Sequence, residues 1–260
     1  LNPVSLRTQL STLRAFVRFC ESIDALESGT HEEILLPTLD ANDDVKDEML
    51  DGERAEKIRE YLERFEYASR KHVLFEVFWS TSIRMGTLHS LDLEDFRSDE
   101  QALAIRHRPD GGTSLKNGER AERIIAIPER TCEVVSDWIT HTRPDVTDDN
   151  GREPLITTEQ GRVSQSNIRA LVYHITRPCY YGESCCCDEQ YSYSYASKCE
   201  KSRSPHCLRK GSLTHLLKND VPKQVVSDRA DVSPDVLDKH YNKMTEQERM
   251  EQRREYLDSI

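Results

Sequence analysis

The chain has 260 residues, enough for one sizeable domain and a smaller one, and it contains no apolar run long enough to cross a bilayer. Asp and Glu outnumber Lys and Arg by 47 to 36, giving a formal net charge of -11. This balance opposes an approach to phosphates unless the basic residues cluster on one face, or unless the protein works in high salt, where an acidic surface maintains solubility. The sequence begins at Leu1 and shows no signal peptide, so we expect a cytoplasmic protein, without a membrane partner, that lacks its N-terminal part.

The N-terminal part predicts one helix followed by a linker. Apolar residues recur at helical spacing from Leu6 to Cys20, with basic residues on another face, which by itself indicates a solvated basic stripe. These basic residues are Arg7, Arg14 and Arg18. Residues 26–51 are rich in acids and helix breakers, which is typical of a linker, and we place the domain boundary near Ala41.

Beyond the boundary, helical patterns surround two short strands. Residues 55–65 have the spacing of an amphipathic helix, and the apolar run 73–79 indicates a mostly buried one. Segments 102–106 and 123–127 predict strands separated by turn signals, hence a small antiparallel sheet. Further helices are predicted at residues 129–140, 167–176, 205–217, 222–227, 234–241 and 246–256. The predicted fold class is mainly α with a small antiparallel β-sheet, an α+β arrangement.

Eight cysteines in a chain without a secretory signal argue against a disulfide framework. Five of them lie in an insertion at about residues 178–204. Four thiolates from this insertion would bind a structural zinc ion tetrahedrally, which would give a polar loop a reason to fold. The candidate ligands are Cys179, Cys185, Cys187 and Cys199. The alternative is a disordered loop with adventitious cysteines.

Four motifs occur in order along the chain. They are Thr81-Ser82-Ile83-Arg84-Met85-Gly86, Leu115-Lys116-Asn117-Gly118, His206-Cys207-Leu208-Arg209-Lys210-Gly211 and Ser233-Pro234-Asp235-Val236-Leu237-Asp238-Lys239-His240-Tyr241. Their order and spacing resemble the arginine box, the β-hairpin lysine, the H-x-x-R pair and the nucleophilic tyrosine of tyrosine recombinases and phage-type integrases. The resemblance covers about residues 47–241, and the cysteine-rich insertion resembles that of haloarchaeal integrases.

The resemblance implies a catalytic domain at residues 42–260, preceded by a partial helical core-binding domain at residues 1–41. Tyr241 would attack the scissile phosphate to give a 3′-phosphotyrosyl bond, while Arg84 and Arg209 would hold the non-bridging oxygens. Lys116 would be the general acid for the leaving oxygen, and His206 would accept the tyrosine proton or hydrogen-bond the phosphate. No cofactor is required for this reaction.

The same resemblance implies partners and a biological context. In the family, a helix such as the first one belongs to the domain that clamps DNA. Arg120 and Arg123 lie near Lys116, so the alternative to a general acid is that the hairpin is simply a basic DNA-contacting loop. The candidate DNA-binding residues are therefore Arg7, Arg14, Arg18, Arg120 and Arg123. The expected partners are double-stranded DNA attachment sites and three further copies of the chain, for integration or excision of a mobile element. A halophilic host fits both the charge and the resemblance.

One position departs from the family pattern. Asp231 stands where a His or Trp usually precedes the nucleophile, and a carboxylate cannot donate to phosphate unless it is protonated. Either a neighbour such as Arg229 or His240 supplies the missing donor, or catalysis is weaker than in typical members of the family. Two alternatives therefore stay open: a catalytically degenerate integrase that binds DNA without cutting it, and a type IB topoisomerase-like enzyme.

Overall fold

The structure is a computed structural model that describes residues 2–39, 48–185, 193–240 and 246–254. It divides into two compact units, Leu1–Asp47 and Glu48–Ile260. Across the described ranges, every helix is too short or too polar to span a lipid bilayer.

The first unit consists of one long helix and a turn that folds back onto it. Helix α1 spans Pro3–Ser22 and has proline in its first turn, where the missing N–H costs nothing. A 3-10 turn follows at Thr30–Glu33, where the ring of His31 lies 2.8 Å from a carboxylate oxygen of Glu21. The linker predicted for residues 26–51 therefore has regular structure in its first part.

The second unit is mainly helical. Its helices are α2 (Gly52–Phe65), α3 (Arg70–Thr81), α4 (Met85–Ser90), α5 (Glu129–Asp137), α6 (Gln165–Ile175), α7 (Pro205–Lys218), α8 (Lys223–Ala230), α9 (Pro234–His240) and α10 (Glu246–Arg254). Its strands are β1 (Phe96–Arg97), β2 (Ala102–Ile105), β3 (Arg123–Ala126), β4 (Thr157–Thr158) and β5 (Gly161–Arg162). Strands β1, β2 and β3 form an antiparallel sheet in that order, and β4 pairs with β5 as a hairpin. The predicted fold class is confirmed.

Helix α3 occupies the centre of the core. It begins after Ser69, whose hydroxyl accepts a hydrogen bond from the backbone N–H of His72 at 3.2 Å. The side chains at residues 72–79 are all buried, and Phe75 and Phe78 are among the largest with no exposed surface. The apolar run in the sequence therefore correctly predicted a buried helix. Because the helix is apolar on most sides, neighbouring helices can pack around it.

Glu76 is a charged side chain within this buried helix. Its carboxylate lies 2.8 Å from Nε of Arg59 and 3.1 Å from the Nη2 of the same guanidinium. Burial alone would raise the pKa of Glu76, but the neighbouring His72 ring, the Arg59 guanidinium and the charge of Arg130 together lower that pKa to about 2. Glu76 is therefore ionised at neutral pH, and its charge is compensated inside the core.

Helix α7 lies unusually close to the chain entering α2, and a glycine permits this approach. A Cβ atom at Gly211 would lie 1.7 Å from the carbonyl oxygen of Leu50. The Leu50 N–H donates to the carbonyl of Cys207 at 3.1 Å, which fixes the approach. Because Cys207 lies in the H-x-x-R motif, this packing also sets the position of His206 and Arg209.

The structure departs from the predicted elements in small, physically simple ways. The helix predicted at 129–140 ends as an α-helix at Asp137 and continues as a wider π-type turn at Trp138–Thr142. The indole Nε1 of Trp138 donates to the carbonyl of Leu155 at 2.8 Å and anchors that turn in the core. Strand β1 and the β4–β5 hairpin were missed because two-residue strands show no alternation.

The predicted C-terminal helices are found with shifted boundaries. Helix α8 begins one residue later and ends three residues later than the predicted range 222–227. Helix α10 begins at the predicted residue. Its predicted end at Tyr256 lies outside the described residues.

Candidate active site

A cleft of about 1170 Å³ in the second unit brings together residues from separate segments. Four of the five predicted catalytic residues line it: Arg84, Lys116, His206 and Arg209. Further cations in the lining are Arg120, Arg123 and Arg169, and the acidic residues are Glu122, Asp228 and Asp231. Positive charge therefore dominates this cleft although the whole chain carries a net charge of -11.

Arg209 is a buried side chain held by two backbone carbonyls. It lies in α7, and 5% of its surface is exposed. Its Nη1 donates to the carbonyl of Ser82 at 2.6 Å, and its Nη2 donates to the carbonyl of Ala230 at 2.8 Å. Ser82 adopts a left-handed φ of 54°, and its hydroxyl oxygen lies 2.5 Å from that of Ser212 on α7. These contacts fix the Arg209 guanidinium through the fold itself.

Arg84 lies immediately before α4 and pairs with Asp231. Its Nη1 forms an ion pair with the Asp231 carboxylate, and its Nη2 donates to the Asp231 backbone carbonyl at 2.7 Å. The side-chain amide of Asn117 donates to both carboxylate oxygens of Asp231, at 3.1 and 2.9 Å. The position that departs from the family pattern therefore lies inside the cleft and contacts one of the two predicted phosphate-binding arginines.

Arg229 was predicted as one substitute donor for the position of Asp231. Its Nη2 donates to the carbonyl of Ser80 at 2.8 Å, and burial lowers the pKa of its guanidinium. This contact engages Arg229 with the backbone of the last turn of α3 rather than with the cleft. The side chain of His240, the other predicted substitute, lies outside the described part of the chain.

Lys116 lies in the loop between β2 and β3, as predicted. The loop is anchored on both sides of the lysine: the Leu115 N–H donates to Nδ1 of His107 at 2.9 Å, and the Asn117 amide contacts Asp231. Leu115 is buried, whereas Lys116 is exposed and lines the cleft. Anchoring its two neighbours presents the flexible ammonium to the cleft.

His206 lies in the first turn of α7 and also lines the cleft. The helix begins after Ser204, whose side chain accepts a hydrogen bond from the Cys207 N–H at 3.3 Å. Tyr241, the predicted nucleophile, lies outside the described residues, directly after α9. Val236 in α9 lines the cleft, so the described chain reaches the site five residues before Tyr241. The position of Tyr241 stays a prediction.

The two hairpin arginines predicted to bind DNA differ in their surroundings. Arg120 is exposed and lines the cleft. Arg123 also lines the cleft, but its Nε and Nη1 donate to the carbonyls of Arg229 and Ala121, at 3.0 and 2.6 Å. Burial and the nearby charges of Arg84 and Arg229 lower the pKa of Arg123, although Asp231 acts in the opposite sense. Arg123 therefore has a structural role in the loop, and Arg120 is the more accessible of the two.

The arginines of α1 belong to the first unit. Arg18 is exposed, whereas Arg7 is partly buried and its Nη1 donates to the carbonyl of Pro37 at 2.5 Å. Arg14 is partly buried as well, with a buried Nε atom. Arg7 thus holds the segment after the 3-10 turn against α1, and DNA contact by these three residues stays a prediction.

Three of the four predicted zinc ligands lie in the described residues. The Sγ atoms of Cys185 and Cys199 are 3.4 Å apart, and Cys199 is buried. Cys179 is exposed as a residue, but partial desolvation of its thiol and a hydrogen bond with the Cys185 thiol raise its pKa. Cys187 lies outside the described residues. The described part of the chain holds no group of three or more His, Cys, Asp or Glu side chains arranged for a metal ion, so the zinc site stays a prediction.

Sequence reasoning did not identify Asn117 and Arg169 as residues of the cleft. Asn117 was interpreted only as part of a turn signal, but its amide binds the Asp231 carboxylate. Arg169 lies in α6 and lines the cleft, a role that no sequence motif indicated. The packing of α6 against α4 carries Arg169 to the cleft.

Comparison with known proteins gives matches along most of the chain. The model for the phage integrase family matches residues 48–248. Tyrosine recombinase XerC from Psychromonas ingrahamii is 22% identical over 172 residues, which cover 64% of this chain and 51% of that protein. The chain therefore spans about half the length of this curated relative.

Two solved structures share the fold. The Tn1549 transposon integrase in complex with transposon right end DNA matches with a TM-score of 0.66 and 12% identity, covering 98% of this chain and 80% of that one. A lambda integrase dimer bound to a COC′ core site matches with a TM-score of 0.60 and 12% identity, covering 94% of this chain and 77% of that one.

Proposed function

The chain belongs to the phage integrase family, and on that premise we propose that it is a site-specific recombinase that cuts and rejoins double-stranded DNA through a 3′-phosphotyrosyl intermediate. One observation carries this proposal: Arg84, Lys116, His206 and Arg209 come from three separate segments of the sequence and line a single cleft. Breaking a strand without hydrolysis requires a nucleophile, cations around the non-bridging oxygens and an acid for the leaving oxygen. The cleft residues supply these cations and the acid.

The two arginines would bind the scissile phosphate. Guanidinium stays charged and presents planar donors that match phosphate oxygens. Arg209 is already fixed by the backbone carbonyls of Ser82 and Ala230, so little reorganisation would be needed when charge develops on the phosphate. Arg84, which immediately precedes α4, would bind the second non-bridging oxygen.

The remaining residues would transfer protons around the attack. Oη of Tyr241 forms a bond to phosphorus while the bond from phosphorus to the 5′ oxygen breaks. His206 accepts the proton of the tyrosine hydroxyl, or hydrogen-bonds the phosphate, and Lys116 donates a proton to the leaving 5′ oxygen. The ester energy is conserved in the 3′-phosphotyrosyl bond, so a second strand can reverse the step without a cofactor.

The proposed partner is a double-stranded DNA attachment site. The cationic lining of the cleft supports this partner, since phosphates dominate the affinity of DNA-binding proteins. Complete strand exchange would bring together two sites and four copies of the chain, in the cytoplasm, to integrate or excise a mobile element. The net charge of -11 supports the further proposal that the protein works in high salt.

Trapping on nicked suicide duplexes tests this function. The duplexes are taken from the DNA that flanks the gene, and the reactions are run at low and at molar KCl. Wild-type protein is compared with Tyr241→Phe and with Tyr195→Phe, a matched control whose side chain is exposed and lies before the H-x-x-R motif. We expect a denaturant-resistant protein–DNA band with wild type and with Tyr195→Phe, and its loss in Tyr241→Phe.

Two other outcomes would replace the proposal. Binding to DNA without any covalent band at either salt concentration would indicate a degenerate integrase. Relaxation of supercoiled DNA without exchange of strands would indicate topoisomerase-like activity.

A further inference from the structure

The Asp231 carboxylate forms an ion pair with the guanidinium of Arg84, which is the group that would bind the scissile phosphate. We propose that Asp231 is a built-in anion that competes with the DNA phosphate for Arg84 and must leave before that phosphate can be bound. This inference rests on the proposed function, because it assigns a regulatory step to the same cleft. It makes the closed pair of Arg84 and Asp231 a resting state of the site.

The contacts around Asp231 resemble those expected for a bound anion. Arg84 provides an ion pair through Nη1, and Asn117 donates to both carboxylate oxygens. Carboxylates and phosphates both present a pair of negatively charged acceptor oxygens, which the planar donors of a guanidinium recognise. A phosphate placed against Arg84 would therefore need the same donors that the Asp231 carboxylate now uses.

The backbone of Asp231 is held independently of its carboxylate. Asp231 ends α8 with a left-handed φ of 54°, a conformation that aspartate tolerates better than most residues. Arg84 Nη2 binds its backbone carbonyl, and Arg209 Nη2 binds the preceding carbonyl of Ala230. The side chain is 19% exposed and borders the cleft. A change of the Asp231 side-chain rotamer would therefore release Nη1 of Arg84, while the bond from Nη2 to the Asp231 backbone carbonyl remains.

The neighbouring charges indicate how the competition would be decided. Lys116, Arg120 and Arg169 line the same cleft and would attract a DNA strand. The Asp231 carboxylate would repel a phosphate bound beside it, and at a separation of a few ångströms in a partly dry site this repulsion corresponds to a tenfold or larger change in affinity, by order of magnitude. A resting site that already holds an anion would select for substrates able to displace it.

The variant Asp231→Asn tests the competition with almost no change in shape. The asparagine keeps one side-chain oxygen to accept from Arg84 and removes the negative charge. Asp228→Asn is the matched control, because Asp228 lines the same cleft while its carboxylate accepts from Gln224 at 3.0 Å. Both variants are made in the full chain that carries Tyr241→Phe, which prevents covalent attachment.

Two probes are used. The first is a short labelled duplex of arbitrary sequence, whose dissociation constant is measured by fluorescence anisotropy over a series of KCl concentrations. The second is inorganic phosphate, whose midpoint concentration is measured from its effect on thermal unfolding. We expect Asp231→Asn to lower both values about tenfold or more, and Asp228→Asn to lower them much less. The gain should disappear when Arg84→Gln is added to Asp231→Asn.

Other results would overturn the inference. Equal gains in the two asparagine variants would show a general effect of charge rather than occupation of Arg84. Weaker binding by Asp231→Asn would show that Asp231 positions Arg84 for its ligand. If no variant binds the duplex at any salt concentration, the proposed function fails, and the inorganic phosphate comparison alone decides whether Asp231 competes for Arg84.

Discussion

Arg84 and Arg209, the two arginines proposed to bind the scissile phosphate, should respond differently to replacement by lysine. Arg209 is buried and donates to two backbone carbonyls, Ser82 and Ala230. A lysine has a single nitrogen and leaves at least one of these carbonyls without its partner, which costs about 1.5–3 kcal/mol for a hydrogen bond to a charged group. Arg84 is 26% exposed and its lysine variant keeps a positive charge beside Asp231, so we expect a loss of about 1 kcal/mol or less.

Both variants should nevertheless lose strand transfer, because each removes a planar donor to the developing phosphate charge. The expected loss is about a hundredfold or more in rate for each. Stability is measured by urea unfolding followed by circular dichroism, and activity by the rate of covalent trapping on suicide duplexes. Equal stabilities of Arg84→Lys and Arg209→Lys would refute the structural part of the reasoning. Retained activity in either variant would refute its role at the phosphate.

Three further predictions follow from contacts elsewhere in the second unit. Glu76→Gln should lower the free energy of unfolding at pH 7 by about 3 kcal/mol, the equivalent of a pKa lowered from 4.5 to about 2. A depressed carboxyl pKa stabilises the fold above pH 4.5, and this contribution is lost as the pH falls toward 2. Urea titrations should therefore show a smaller stability difference between wild type and Glu76→Gln at pH 3 than at pH 7. A difference that stays constant would contradict the assignment. Gly211→Ala should destabilise the protein by about 1–3 kcal/mol or more, since its Cβ would overlap the Leu50 carbonyl. Gly86 has open space around it, so Gly86→Ala should change stability by less than about 1 kcal/mol. Thermal unfolding measures both changes. Protein purified without chelator should contain about one zinc ion per chain by elemental analysis. Cys199→Ser should reduce this content while leaving strand transfer intact. Wild-type protein without zinc would contradict the proposed metal site.

The sequence predicted those elements whose periodicity extends over several turns. Helix α3 was recognised from the apolar run at residues 73–79, and its buried position follows from that composition. Strands β2 and β3 were recognised from alternation and from the turn residues between them. The π-type turn after Asp137 was not predictable, because it depends on the hydrogen bond from Trp138 to a carbonyl distant in the sequence.

The candidate site was predicted as a set of residues but not as a set of contacts. The order of the motifs identified Arg84, Lys116, His206 and Arg209, and the structure brings these four residues to one cleft. The pairing of Arg84 with Asp231 could not be predicted, because it joins residues that only the folded chain brings together. The burial of Arg209 could not be predicted either, since a charged residue in a motif gives no indication of how its donors are used.

The hydrogen bonds of Arg209 affect how relatives of this chain should be compared. A relative without the proposed strand-transfer activity would still retain a reason to keep an arginine at this position, because its guanidinium makes two hydrogen bonds to the carbonyls of Ser82 and Ala230. Lys116 is exposed on its loop, and its replacement leaves those two hydrogen bonds in place. If selection for catalysis were lost, we therefore expect Lys116 to be replaced before Arg209. A relative that retains the lysine is then better evidence of selection for catalysis than one that retains only the arginine.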